Sequence, residues 1–210
     1  ALWATYARLG TVVQNRGFTL LMVLFSLGGI SGLAFVSAST YIYQDGFGLS
    51  SQTYSFYFGL NAVCLIFGPM IYMRLSRRFH PEAIIRACFV VSLASGALVA
   101  LLGNLAPYVF ALCLLPSSIA GSILRPPSTN LMLEQQSGDT GSMVSVMGCV
   151  GLLMGSLGMT LIALPWGNTI VALGVMILLT SAVSLLAWPL VIQRAVRLPH
   201  PTQAIAELEA

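Results

Sequence analysis

The 210 residues contain no lysine, six acidic residues and two histidines, and 7% of the chain is charged. Ordinary globular chains carry about 25% charged residues, so this chain cannot cover its own surface with polar groups. With 57% hydrophobic residues and a mean hydropathy of +0.90, most of its exterior must face lipid. A water-soluble fold, intrinsic disorder and a secreted disulfide scaffold are all excluded. The net charge of +3 rests on nine arginines against six acids, too weak a basic signal to make nucleic acid a partner.

Other chemistry is missing as well. Cys64, Cys88, Cys113 and Cys149 lie inside apolar runs at no metal-ligand spacing and read as small packing residues. His80 and His200 fall at the edges of those runs, no glycine-rich phosphate loop carries a lysine, and no pair of carboxylates lies inside a run. An enzyme, a bound cofactor and a metal site are therefore not expected.

What the chain does have is six apolar segments, at residues 18–42, 54–73, 84–102, 108 to at least 124, 142–164 and 169–192, separated by short polar or Pro/Gly-rich breaks. About 20 apolar residues of helix cross about 30 Å of hydrocarbon, and each segment stays apolar at both parities, unlike barrel strands. The expected fold class is an all-α membrane domain of six transmembrane helices, residues 18–193, between cytoplasmic segments 1–17 and 194–210. The first segment is too long for a signal-peptide core and is expected to remain as an anchor.

Positively charged flanks are retained in the cytoplasm, and the arginines all fall on one side. Arg8 and Arg16 precede span one; Arg74, Arg77, Arg78 and Arg86 surround the turn between spans two and three; Arg125 ends or follows span four; Arg194 and Arg197 follow span six. The opposite turns hold Asp45 as their one charge. Both termini are thus expected in the cytoplasm, in the inner (plasma) membrane of a cell.

Small residues one turn apart allow helices to approach closely in lipid. Gly28 and Gly32, Ser92 with Gly96 and Ala100, Ser117 and Gly121, and Gly151 and Gly155 are expected contact stripes. Pro116, Pro126 and Pro127 bend or break span four, which either stops near Leu124 or continues to Leu133. In the second case Arg125 lies within the bilayer's thickness. Asn61, an amide inside an apolar helix, must face either another helix or a hydrated cavity; Tyr41 and Tyr43 fit an interfacial aromatic belt.

The segment Arg74-Leu75-Ser76-Arg77-Arg78-Phe79, after Gly68-Pro69, resembles the basic turn between the second and third helices of one half of a major facilitator superfamily transporter. The stretch from Gly141 to Gly148, with Ser37-Ala38-Ser39, Tyr41-Ile42, Gly48-Leu49-Ser50 and Phe58-Gly59-Leu60-Asn61-Ala62, is similar to the Bcr/CflA-type drug and proton antiporters. The resemblance runs from Tyr6 to about Arg194 and implies the C-terminal six-helix half of such a protein. It implies that spans one, two, four and five line a central cavity, and that an amphiphilic small-molecule substrate meets Phe35, Ser37, Tyr41, Tyr57, Asn61 and Arg125. It further implies a gating cytoplasmic turn at Arg74, Arg77 and Arg78, although Ser76 stands where that turn prefers glycine. The proton-carrying acid of the family belongs to the other half. The partners it implies are the bilayer, a substrate and a second six-helix half, either an N-terminal half of the same transporter or a second copy. The start at Ala1-Leu2-Trp3 favours a piece cut at a central loop; a homodimeric half-transporter and a non-transporting six-helix scaffold are the alternatives.

The arginine asymmetry makes one prediction. In intact cells an impermeant thiol reagent should label a cysteine placed at Asp45 and spare one at Ser76, and the reverse pattern would contradict the orientation.

Overall fold

The computed structural model describes residues 14–135 and 140–197. Helix α1 (Arg16–Thr40) continues into a π-helical turn (Tyr41–Gly46) and is followed by α2 (Ser51–Leu75), α3 (Pro81–Leu102), α4 (Pro107–Leu133), α5 (Thr140–Ile162) and α6 (Thr169–Arg197). All six helices are long and apolar enough to cross a membrane, and no described residue is in a strand. The expected all-α architecture of six spans is the observed one. Arg8, Asp139, and the tail from residue 198 with His200, Glu207 and Glu209 lie outside the described residues. Helicity extends past the expected borders at 18 and 193, since α1 begins at Arg16 and α6 reaches Arg197.

The helix ends follow from local chemistry. The Asn15 side chain accepts from the Phe18 N–H at 3.2 Å, and Ser50 Oγ accepts from the Thr53 N–H at 3.3 Å. Asn168 Oδ1 accepts from Ile170 and Val171 at 3.0 and 3.1 Å. Each cap satisfies donors that a first turn leaves free. Pro81 and Pro107 open α3 and α4, where a missing N–H costs nothing. The question of span four resolves in favour of the long helix: α4 runs unbroken through Pro116, Pro126 and Pro127 to Leu133, about 40 Å at 1.5 Å per residue.

The helices stand in two rows. α5, α1, α4 and α2 form the front in that order, through the pairs α1·α5, α1·α4 and α2·α4; α6 and α3 pack on each other behind, α6 also against α1 and α3 against α4. Two side-chain bonds clip opposite rims. Asn15 Nδ2 donates to the Gln135 carbonyl at 2.7 Å on the arginine-bearing rim, and Asn168 Nδ2 donates to Asn104 Oδ1 at 2.8 Å on the other.

Backbone approaches at glycine set the helix spacing. A Cβ on Gly96 would lie 2.6 Å from the Leu178 nitrogen and one on Gly174 2.5 Å from the Ala100 nitrogen, so α3 and α6 touch through the expected Gly96 stripe. Between α1 and α5 the expectation needs correction. Gly28 and Gly32 face open space, and it is Gly29 that meets the Gly151 carbonyl, at 3.1 Å from its would-be Cβ. Gly158 lies against the Ile30 carbonyl and Gly155 against the Leu33 side chain. Gly121 also faces open space rather than a neighbour. Each residue turns a helix by about 100°, so spacing identified the stripe as small but not the side on which its partner stands.

Gly158→Ala should therefore lower the stability of the folded bundle in detergent by about 1–3 kcal/mol, the cost of forcing atoms into a filled contact. Gly148→Ala, which meets nothing within 4 Å, should leave stability unchanged or raise it by up to about 1 kcal/mol. Thermal unfolding of the two variants side by side reads the difference.

Candidate functional site

Many hydroxyls inside the spans donate to carbonyls of their own helix. Ser26, Ser31, Ser39, Ser117, Ser128 and Ser156 each donate to the carbonyl three residues before, a local pairing that hydroxyls make readily in helices. The seam between α2 and α4 is different. Asn61 Nδ2 donates to Ser118 Oγ at 2.9 Å, so the amide takes the interhelical partner that burial in an apolar helix demands. One turn on, the Leu65 carbonyl is left without its helical donor because Pro69 has no N–H. Ser122 Oγ of α4 donates to that carbonyl at 2.5 Å. Gly68 makes this possible, because any Cβ there would collide with Ser122.

Arg125 lies on the same face of α4, seven residues after Ser118 and four after Gly121, at spacings that stack one above another on a helix. Its side chain is exposed, and among the described residues the guanidinium has no hydrogen-bond or ion-pair partner. Eight residues separate it from Leu133 at the helix end, about 12 Å of rise, within a helix long and apolar enough to cross a membrane. A guanidinium cannot shed its charge, so at that depth it requires water or an anionic group. The surrounding front surface is small and partly polar: no atom lies within 4 Å of a Cβ position on Gly28, Gly32, Gly121, Gly148 or Gly151, and Ser145, Cys149, Ser156 and Thr160 are exposed along α5.

The other expected site residues separate. Phe35 is buried and stacks on Phe58 of α2 at 6.1 Å. Tyr57 is half-buried and stacks on Tyr43 at 5.1 Å and 11°. Phe35, Tyr57 and Asn61 thus sit along the α1–α2–α4 junction, with Asn61 joined through Ser118 to the line that carries Arg125. Ser37 is half-buried and Tyr41 exposed, and Ser37 lies roughly 140° around α1 from Gly32, away from the open glycine face. Arg74 lies in the last turn of α2, and Arg77 and Arg78 stand in the exposed turn that follows, where the Arg78 N–H bonds the Leu75 carbonyl at 3.0 Å.

Two features escaped the sequence. Tyr43 was expected in an interfacial belt, yet it is 1% exposed, enclosed by Tyr54, Tyr57, Phe47 and Phe110. The π-helical turn that begins at Tyr41 widens the helix and changes which side the next residues face, a register shift that an α-helical reading does not include. Ser118 as the partner of Asn61 was missed too, although its seven-residue spacing from Arg125 was a usable signal.

No family model matches the chain. It is 28% identical over 186 residues to the uncharacterized MFS-type transporter YdgK of Bacillus subtilis (strain 168), an alignment that covers 86% of this chain and 45% of that protein. The chain thus spans less than half the length of the curated relative it matches. Six membrane-capable helices without strands among the described residues agree with half of a major facilitator fold.

The Asn61–Ser118 bond should show in a double-mutant cycle. Asn61→Ala and Ser118→Ala should each destabilise the bundle, and the double variant should cost less than their sum by about 0.6–1.7 kcal/mol, the range for interhelical bonds in membranes. Strict additivity in unfolding measurements would show that the two groups do not interact.

Proposed function

We propose that the chain is the C-terminal six-helix half of a major facilitator transporter of the inner membrane, with both termini in the cytoplasm. The similarity to an MFS-type transporter across 86% of the chain supports the family. The basic turn, the Gly141 to Gly148 stretch and the spans that resemble the Bcr/CflA antiporters support the finer reading, a proton-coupled multidrug efflux protein that exports amphiphilic molecules and so confers antibiotic resistance. The Arg74, Arg77 and Arg78 turn serves as its cytoplasmic gate.

The observation that carries transport is Arg125. A permanent cation held on an open face, about 12 Å inside the end of its helix and without a partner among the described residues, belongs in a hydrated cavity. In a lipid-facing wall, burying it would cost about 3 kcal/mol or more. The front row offers such a cavity once a second six-helix half stands opposite. α2 and α5, the two ends of the row, support this: 11% and 17% of their apolar stretches are buried, against 39% in each of the other four helices. Halves of this family are related by an axis along the membrane normal, and the relative's length leaves room for another bundle. Arg125 then binds an anionic or hydrogen-bonding group of the substrate or a carboxylate of the opposite half, Asn61 and Tyr57 border the pocket, and Phe35 backs its wall.

Cells that express the complete gene product test this through efflux of an amphiphilic dye. Arg125→Ala should lower efflux about tenfold or more, corresponding to at least about 1.4 kcal/mol of lost charge-assisted binding. Arg125→Lys should recover little of it, because an ammonium lacks the planar fork. Normal efflux by the alanine variant at normal expression would end the proposal.

A further inference from the structure

On the side of α4 away from Arg125, an apolar groove of about 320 Å³ lies between α2, α3 and α4. Leu75 and Ile84 line one end, Val91 and Pro116 the other, and Ala87 and Ala120 lie between them. The groove has a local cause. Alanines on both facing helices leave side-chain volume unfilled, and Pro116 interrupts the α4 ladder where the groove begins. Ile84 to Val91 and Pro116 to Ile123 each span seven residues of helix, so the groove is about 10 Å deep along the bundle. Ala87 and Val91 are exposed at its lip, and it opens toward lipid.

Its other end has a different character. Leu75 is the last residue of α2 and Ile84 lies in the first turn of α3, so the mouth sits at the 76–83 turn. Arg77 and Arg78 are in that turn and Arg74 immediately precedes Leu75; all three are exposed, and the nearby sequence offers Glu82 as its one carboxylate. These three guanidinium groups have no ion-pair or hydrogen-bond partner among the described residues. An apolar slot continuous with a net cationic mouth matches an amphiphile with an anionic head and a hydrocarbon tail.

We propose that this groove binds one anionic phospholipid, an acyl chain lying along Ala87, Val91 and Pro116 and the phosphate held by Arg77 and Arg78. In a bilayer, the abundant molecule of that chemistry is an anionic phospholipid, and basic pockets between helices at the membrane surface are suited to such head groups. The site is separate from the transport cavity, because Pro116, Ile119 and Ile123 lie roughly 120–180° around α4 from Arg125. The inference therefore does not rest on the transport reading, and its test reads lipid rather than efflux.

The test is native mass spectrometry of the complete gene product, equilibrated with equal amounts of phosphatidylglycerol and phosphatidylethanolamine of identical acyl chains. The protein should retain one phosphatidylglycerol in preference to phosphatidylethanolamine. Arg77→Gln and Arg78→Gln, both on an exposed turn, should each lower that preference about fivefold, the effect of about 1 kcal/mol per surface arginine. Ala87→Trp and Val91→Trp, which fill the groove from its lip, should lower retention of both lipids. Leu101→Trp, exposed on lipid elsewhere on α3, should not. Equal retention of the two lipids, or a preference unaffected by loss of both arginines, would overturn the proposal. So would displacement of phosphatidylglycerol by inorganic phosphate, which would show a simple anion site, or undiminished retention in both tryptophan groove variants.

Discussion

In hydrocarbon, each polar group that finds no partner inside the protein costs several kcal/mol, and the bundle is organised around meeting that demand. Pro69 illustrates it. The ring removes a backbone donor, the Leu65 carbonyl is left open, and the hydroxyl of Ser122 on the neighbouring helix fills the vacancy at the one place where Gly68 lets α4 come close. Asn61 and Ser118 repeat the arrangement about one turn away. The proline that weakens α2 thereby becomes the point at which α2 is attached, and an isolated α2 would lack that compensation.

Against this rule the front face is the exception. Gly28, Gly32, Gly121 and Gly148 meet nothing within 4 Å of a Cβ position, Ser145, Ser156 and Thr160 are exposed on α5, and Arg125, well inside the length of its helix, has no partner among the described residues. The back of the molecule is the reverse: α3 and α6 close on each other through Gly96 and Gly174 with no room for an added methyl group. The domain is thus closely packed where α3 meets α6 and open, small and partly polar along its front. On α2, Phe56, Leu60, Val63, Phe67 and Met70 form an exposed apolar line that runs in steps of three and four along a single helix face.

The six spans were legible in the sequence because the bilayer sets both their length and their composition. Whether α4 stopped at Leu124 was not, since proline in a membrane span can end a helix or be absorbed by neighbours, and the outcome depends on what stands beside it. The contact glycines illustrate a second limit. Gly28 and Gly29 have nearly the same sequence context, yet only Gly29 meets α5, and that choice depends on the rotation of α1 against its neighbours. For Tyr43 the obstacle was the π-helical turn, which no pattern of apolar residues announces. Of the expected site residues, Asn61 and Arg125 were identified by the mismatch between their polarity and their setting, the kind of signal a sequence retains. Ser37 and Tyr41 were carried by resemblance alone; Ser37 is half-buried and Tyr41 exposed.

The central claim is that the front of the bundle faces water and a second half, and that its back faces lipid. Reaction rates of single cysteines with a small charged thiol reagent measure this directly, with the four native cysteines replaced in the complete gene product. Cysteines placed at Gly121 and Gly148 should react at rates approaching those in solution, while one at Leu186, 74% exposed on α6, should be nearly inert. A cysteine at Gly121 as unreactive as the one at Leu186 would contradict the account, since Arg125 would then share its face with hydrocarbon.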